Sequence, residues 1–165
     1  MPSESAAPAI EYVVGDATTP TRRPAIIVHV CNDIGGWGAG FVLALSRRWP
    51  EPEAEYRAWS RAVDDRLPLG EVQLVAVEPE LWVANLVGQR DIRRAPDGSP
   101  PVRYDAIRQG LRAVAEHAIS HRASVHMPRI GCGLAGGEWS VVAEIVHDEL
   151  VDVDVEVVVY DLPAR

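Results

Sequence analysis

Apolar residues fall in short runs along this chain, and the period within the runs alternates between strand and helix. Ile10 to Val14 and Ala25 to Val30 are compact apolar stretches. Both read as strands, the second as one buried on both faces. Gly40 to Trp49 places Val42, Leu45 and Trp49 on one side of a helix, with Pro50 and Pro52 ending it. Glu53 to Arg61 reads as a second short helix. Val72 to Val77 and Leu81 to Val87 form a strand pair joined at Glu78-Pro79-Glu80. Asp91 to Pro101 is charged and rich in Pro and Gly, so it is a loop, either a flap over a site or a solvated connection. The clearest helix is Tyr104 to His121, where Ile107, Leu111, Val114 and Ala118 recur at helical spacing. Val125 to Met127 is a short strand, Glu138 to Leu150 a helix and Val155 to Tyr160 a closing strand. Alternating strands and helices predict an α/β architecture with a mainly parallel sheet. Ligands of such sheets sit beyond the carboxyl ends of the strands.

Length and composition refine this picture. The 165 residues suit one domain over 10–165 with a real core, preceded by a disordered tail over 1–9. The chain shows no secretory signal and no bilayer-spanning run, which predicts a cytoplasmic protein without a membrane partner. It is read as a monomer. Cys31 and Cys132 are expected as reduced thiols, and no Cys/His cluster has the spacing of a metal site. A net charge of −8 argues against broad nucleic-acid binding, although Arg90, Arg93, Arg94 and Arg103 could form a local basic patch. All 16 cationic side chains are arginine. A lysine nucleophile, a Schiff base and a P-loop lysine are therefore excluded.

Two glycine-rich loops follow directly on apolar strands. The first is Gly35-Gly36-Trp37-Gly38-Ala39-Gly40, and the second is Gly131-Cys132-Gly133-Leu134-Ala135-Gly136-Gly137. Glycine lets main-chain N–H groups approach a ligand without an intervening Cβ, and each loop runs into a helix whose N-terminus favours anions. Two such loops in one small domain predict a diphosphate held between them. Asp16, at the end of the first strand, is either a turn aspartate or a partner for an exocyclic amine such as that of adenine. His126 and Cys132 read as structural groups. Trp37 suits either a ribose cover or the core.

In this order the segments resemble a macrodomain. They are Gly15-Asp16-Ala17-Thr18, then His29-Val30-Cys31-Asn32 leading into the first glycine loop, Met127-Pro128-Arg129-Ile130-Gly131-Cys132-Gly133-Leu134 followed by Glu138-Trp139, and Val159-Tyr160-Asp161-Leu162. The likeness covers residues 10–162 and is strongest to the branch holding the terminal ADP-ribose protein glycohydrolase and the ADP-ribose-1″-phosphate phosphatases. It implies a three-layer α/β/α fold around a mixed, mainly parallel sheet of six or seven strands. It implies ADP-ribose and ADP-ribosylated proteins as partners, with no cofactor. Carried over by position, Asp16 and Ala17 would meet adenine, with Tyr160 or Leu162 against the ring. Gly38, Ala39, Gly40 and Phe41 would line the first diphosphate loop, and Gly131, Cys132, Gly133, Leu134 and Ala135 the second. Asn32 would touch the distal ribose, with Trp37 and Arg129 in reach of the ligand.

The sequence departs from that branch at its catalytic positions. Gln89 stands near where the glycohydrolase carries its lysine, and Ala135 stands where it carries an aspartate. The expectation is therefore a mono-ADP-ribosyl hydrolase acting on acidic side chains by a lysine-independent, substrate-assisted route, with Asn32 and Asp33 orienting ribose or water. The alternatives are a non-catalytic ADP-ribose reader and a phosphatase of ADP-ribose 1″-phosphate.

Overall fold

The computed structural model describes residues 9–164. The tail expected over 1–9 therefore lies almost wholly outside the described residues. Six strands, β1 (Glu11–Val14), β2 (Ala25–Asn32), β3 (Val72–Glu78), β4 (Leu81–Gln89), β5 (Ser124–Met127) and β6 (Val157–Asp161), form one sheet in the order β1-β6-β5-β2-β4-β3. All neighbours run parallel except β3 and β4, which are antiparallel. Four helices, α1 (Phe41–Arg48), α2 (Glu51–Ala62), α3 (Tyr104–His121) and α4 (Trp139–Glu149), cover the two faces. The result is the three-layer α/β/α architecture with a mixed sheet.

Strand β2 shows why the layers are obligatory. Its successive side chains point to opposite faces, and both faces are apolar. Ile26 and Val28 join Leu86 of β4 and Ile107 and Leu111 of α3 in one core. Ala25 and Ile27 join Val83 and Val87 of β4, Leu45 of α1 and Tyr56 of α2 in the other.

Element ends differ from the sequence reading in ways that bear on the site. Strand β2 continues two residues past Val30, so Asn32 closes the strand. Helix α1 ends at Arg48, and Pro52 opens α2 rather than stopping α1. A first-turn proline lacks only an N–H that would have no partner there anyway. Strand β6 begins at Val157, because the Val155 N–H is taken by Leu150 O at the end of α4. No helix among the described residues is long and apolar enough to cross a membrane.

Candidate functional site

The carboxyl ends of β2 and β5 each feed a glycine loop, and the two loops enclose one cavity of about 580 Å³. That volume lies within the usual range for small-molecule sites. The first loop is shaped by Asn32. Its Oδ1 accepts from the N–H groups of Ile34 (3.1 Å) and Gly36 (2.9 Å) and lies 2.9 Å from the Tyr56 hydroxyl. Its Nδ2 donates to Gly36 O at 2.9 Å. The loop ends at Gly40, whose φ of 83° favours glycine, and α1 begins there without a side-chain cap. Its first N–H groups are thus free for a ligand.

The second loop closes on itself. Gly137 N–H donates to Gly131 O at 2.7 Å and Gly136 N–H to Gly133 O at 3.1 Å. A Cβ on Gly137 would stand 2.5 Å from Gly131 O, so only glycine fits. Across the cavity, Leu134 Cδ1 lies 3.6 Å from where a Cβ on Gly40 would sit. The loops therefore nearly touch. Among the described residues the N–H groups of Gly38, Ala39, Gly40, Gly133 and Leu134 have no protein acceptor.

Of the residues expected to contact a ligand, Asn32, Trp37, Gly38, Ala39, Gly40, Phe41, Arg129, Gly131, Gly133, Leu134 and Ala135 line this cavity. Trp37 serves core and cleft together. It is 5% exposed, its Nε1–H donates to Ser46 Oγ at 2.8 Å, and it meets His29 edge-on. Arg129 likewise does two things. It lines the cavity while forming a two-pronged ion pair with Asp161 (2.7 and 3.0 Å), its guanidinium lying over the rings of Tyr12 and Trp139.

Asp16, Ala17, Asp33, Cys132, Tyr160 and Leu162 do not line it. Asp16 Oδ1 accepts from the N–H and the hydroxyl of Thr18, both at 2.8 Å, which makes it a turn aspartate with Oδ2 uncommitted. Ala17 and Tyr160 are buried against Val158, and Phe41 packs on that cluster from the cavity side. The Tyr160 hydroxyl is held by His126 Nδ1 at 2.7 Å and accepts from Thr21 N–H at 3.1 Å. Leu162 is exposed. Cys132 turns its thiol to Ile130 O, and burial raises its pKa. The Asp33 carboxylate is 1% exposed and does not line the cavity. Its Oδ1 accepts from Asp91 N–H at 2.7 Å and pairs with Arg66 at 3.1 Å. Its Oδ2 is buried without a hydrogen-bond partner among the described residues and lies 3.8 Å from Arg90 Nη1.

The sequence reading passed over several lining residues. Gln89, which stands near the lysine position of the resembled branch, closes β4 beside Asn32 and lines the cavity. Ile92 brings the charged loop over 91–101 to the cavity wall. His29 and Cys31 form part of the floor. Desolvation holds His29 neutral, with its pKa lowered to about 4, and pushes the Cys31 thiol well up. The signal for Gln89 and His29 was position alone, on strands whose carboxyl ends face the site. Among the arginines expected as a basic patch, Arg90 lies 3.8 Å from the Asp33 carboxylate. Arg103 donates to the carbonyls of Pro100, Pro101 and Val102, and Arg94 to Gly98 O.

The fold and cleft define an α/β domain that carries a cavity between two glycine loops at a sheet edge. No protein-family model matches the chain. Its structure superposes on that of a macrodomain protein from Streptomyces coelicolor with a TM-score of 0.80 and 53% identity, over 92% of this chain and 98% of that one. The chain belongs to the macrodomain family. It is 30% identical over 154 residues to the human ADP-ribose glycohydrolase OARD1, covering 93% of this chain and 91% of that protein. It is also 35% identical over 153 residues to the zebrafish (Danio rerio) chromodomain-helicase-DNA-binding protein 1-like, covering 86% of this chain. It spans 14% of the length of that relative.

Proposed function

We propose that this macrodomain binds ADP-ribose in the cleft between its glycine loops. We further propose that it hydrolyses mono-ADP-ribose from acidic side chains of proteins without a lysine nucleophile. One observation carries the reading: unpartnered main-chain N–H groups from two loops face a single cavity of nucleotide size. Several N–H donors converging on a diphosphate neutralise it without a lysine. Asp16 Oδ2 takes the adenine amino group at the Phe41 end, and Asn32 lies against the distal ribose. The membership of the chain in a family that includes a named ADP-ribose glycohydrolase supports the same ligand.

Among the described residues no Asp, Glu or Lys lines the cavity. Hydrolysis in this reading proceeds by attack of water on the anomeric carbon, with the modified carboxylate as leaving group, and positioning supplies much of the rate. The same absence of a charged catalyst favours one rival, a reader that binds and does not cleave. Calorimetric titration with ADP-ribose, together with release from a glutamate-modified peptide, separates the two. Binding with release supports the hydrolase. Binding without release over hours supports the reader, and no binding removes both. Phosphate release from ADP-ribose 1″-phosphate would move the activity to the phosphatase alternative.

A further inference from the structure

We propose that Gln89 holds the attacking water in this cleft, with Asp91 and Asp33 behind it as positioning residues. The proposal rests on the hydrolase reading above and names the group that aligns its water. Gln89 is the last residue of β4, and it faces Asn32 where the β2–β4 register shifts. It lines the cavity, and its Nε2 donates to Asp91 O at 2.9 Å. Only the NH₂ end of an amide can meet a carbonyl, so this contact fixes Oε1 as the free end. Among the described residues nothing donates to Oε1.

The other polar side chains lining the cavity are already engaged. The Asn32 amide is tied up in its own loop, His29 is bonded to Asn85, and Arg129 is paired with Asp161. Gln89 Oε1 is thus the one uncommitted side-chain carbonyl in the cavity wall among the described residues.

The group that fixes Gln89 is itself fixed. Asp91 has φ 63°, the left-handed region that non-glycine residues rarely occupy. It is held there by the contact from its N–H to Asp33 Oδ1 and by Arg66 Nη2, 3.6 Å from its own carboxylate. Asp33 is buried and paired with Arg66, so it is a rigid anchor. The chain of contacts runs from Asp33 through the backbone of Asp91 to the Gln89 amide. An acid beside the first glycine loop therefore acts on the cleft without entering it.

In the step, water donates a hydrogen bond to Gln89 Oε1 and turns a lone pair toward the anomeric carbon. The new C–O bond forms as the bond to the ester oxygen breaks. Its electron pair leaves with the carboxylate of the modified residue, and the proton of the added water passes to solvent. Gln89 is unchanged, and the products are ADP-ribose, the free carboxylate and a solvated proton.

The test measures single-turnover release of ADP-ribose from a glutamate-modified peptide, beside calorimetric Kd for ADP-ribose. It uses wild type, Gln89→Ala, Asp33→Leu and the double variant. Gln89→Ala should slow release at least tenfold while Kd stays within about twofold. Asp33→Leu, which removes the acceptor for the Asp91 N–H, should slow release when Gln89 is present and add nothing when it is absent, a dependence that general structural damage would not show. Should Asp33→Leu fail to fold, Asp91→Ala tests the same link, since alanine tolerates the left-handed backbone less well. Full-rate release by Gln89→Ala overturns the proposal, as do independent, multiplying losses in the double variant. Wild type that binds ADP-ribose and releases nothing overturns the hydrolase reading and this inference with it. An active wild type and an equally active Gln89→Ala overturn this inference alone.

Discussion

Single residues set the shape of the cleft, and their effects separate into fit and contact. Gly40 combines a φ of 83° with Leu134 across the gap, so any side chain there meets both backbone strain and the opposite loop. A charge adds repulsion toward a diphosphate. Gly40→Glu should abolish ADP-ribose binding in calorimetry, with the melting temperature of the free protein lowered only modestly. Asp16 is a contact of a different kind, because its turn uses one oxygen and leaves the other. Asp16→Ala should weaken ADP-ribose by about 1–3 kcal/mol, as for a lost charge-assisted hydrogen bond. Unchanged affinity would remove the adenine contact from the binding scheme. The residue types at both positions were readable in the sequence. The burial of Asp33 and the lining position of Gln89 were not, because both depend on where the segment after β4 folds back.

Elements were legible where their periodicity was strong. Helix α3 runs over the span its apolar repeat predicts, Tyr104 to His121. Ends were less legible, since a strand stops where its neighbour stops pairing and the neighbour is remote in sequence. The extension of β2 to Asn32 depends on β4, its partner up to Gln89. Within α3, Gly110 lies against β4, where an added Cβ would stand 2.4 Å from Leu86 Cγ. Alanine gains roughly 0.5–1 kcal/mol in helix propensity over glycine, while overpacking a core costs roughly 1–3 kcal/mol. Overpacking wins, so Gly110→Ala should lower stability by about 1 kcal/mol in denaturant unfolding. A rise in stability would show that α3 and β4 can separate without loss.

At the scale of the whole molecule, the sheet buries two histidines that a disordered chain would leave in water. Burial lowers the pKa values of His29 and His126 from 6.5 to about 4. The unfolded chain therefore binds protons below pH 6.5 that the folded chain refuses. Stability is complete above that pH and should fall as the pH drops from 6.5 toward 4, by up to about 3 kcal/mol per histidine. Melting temperatures across that range check the sign, and replacing His126 by Asn should flatten part of the slope. The release rate should behave differently. Among the described residues the ionisable groups lining the cavity are His29, Cys31 and Arg129, whose pKa values are shifted away from pH 7. Release should therefore vary little between about pH 5 and 8, and a sharp bell centred near 7 would point to a titrating catalyst outside this wall. By itself the sequence determined the class of fold, the two loops and the absence of lysine chemistry, because these follow from local period, glycine content and composition. Only the tertiary structure decided which polar side chains face the cleft and which brace it from behind. That choice depends on hydrogen bonds between segments dozens of residues apart, such as Asp33 to Asp91, and no local pattern encodes them.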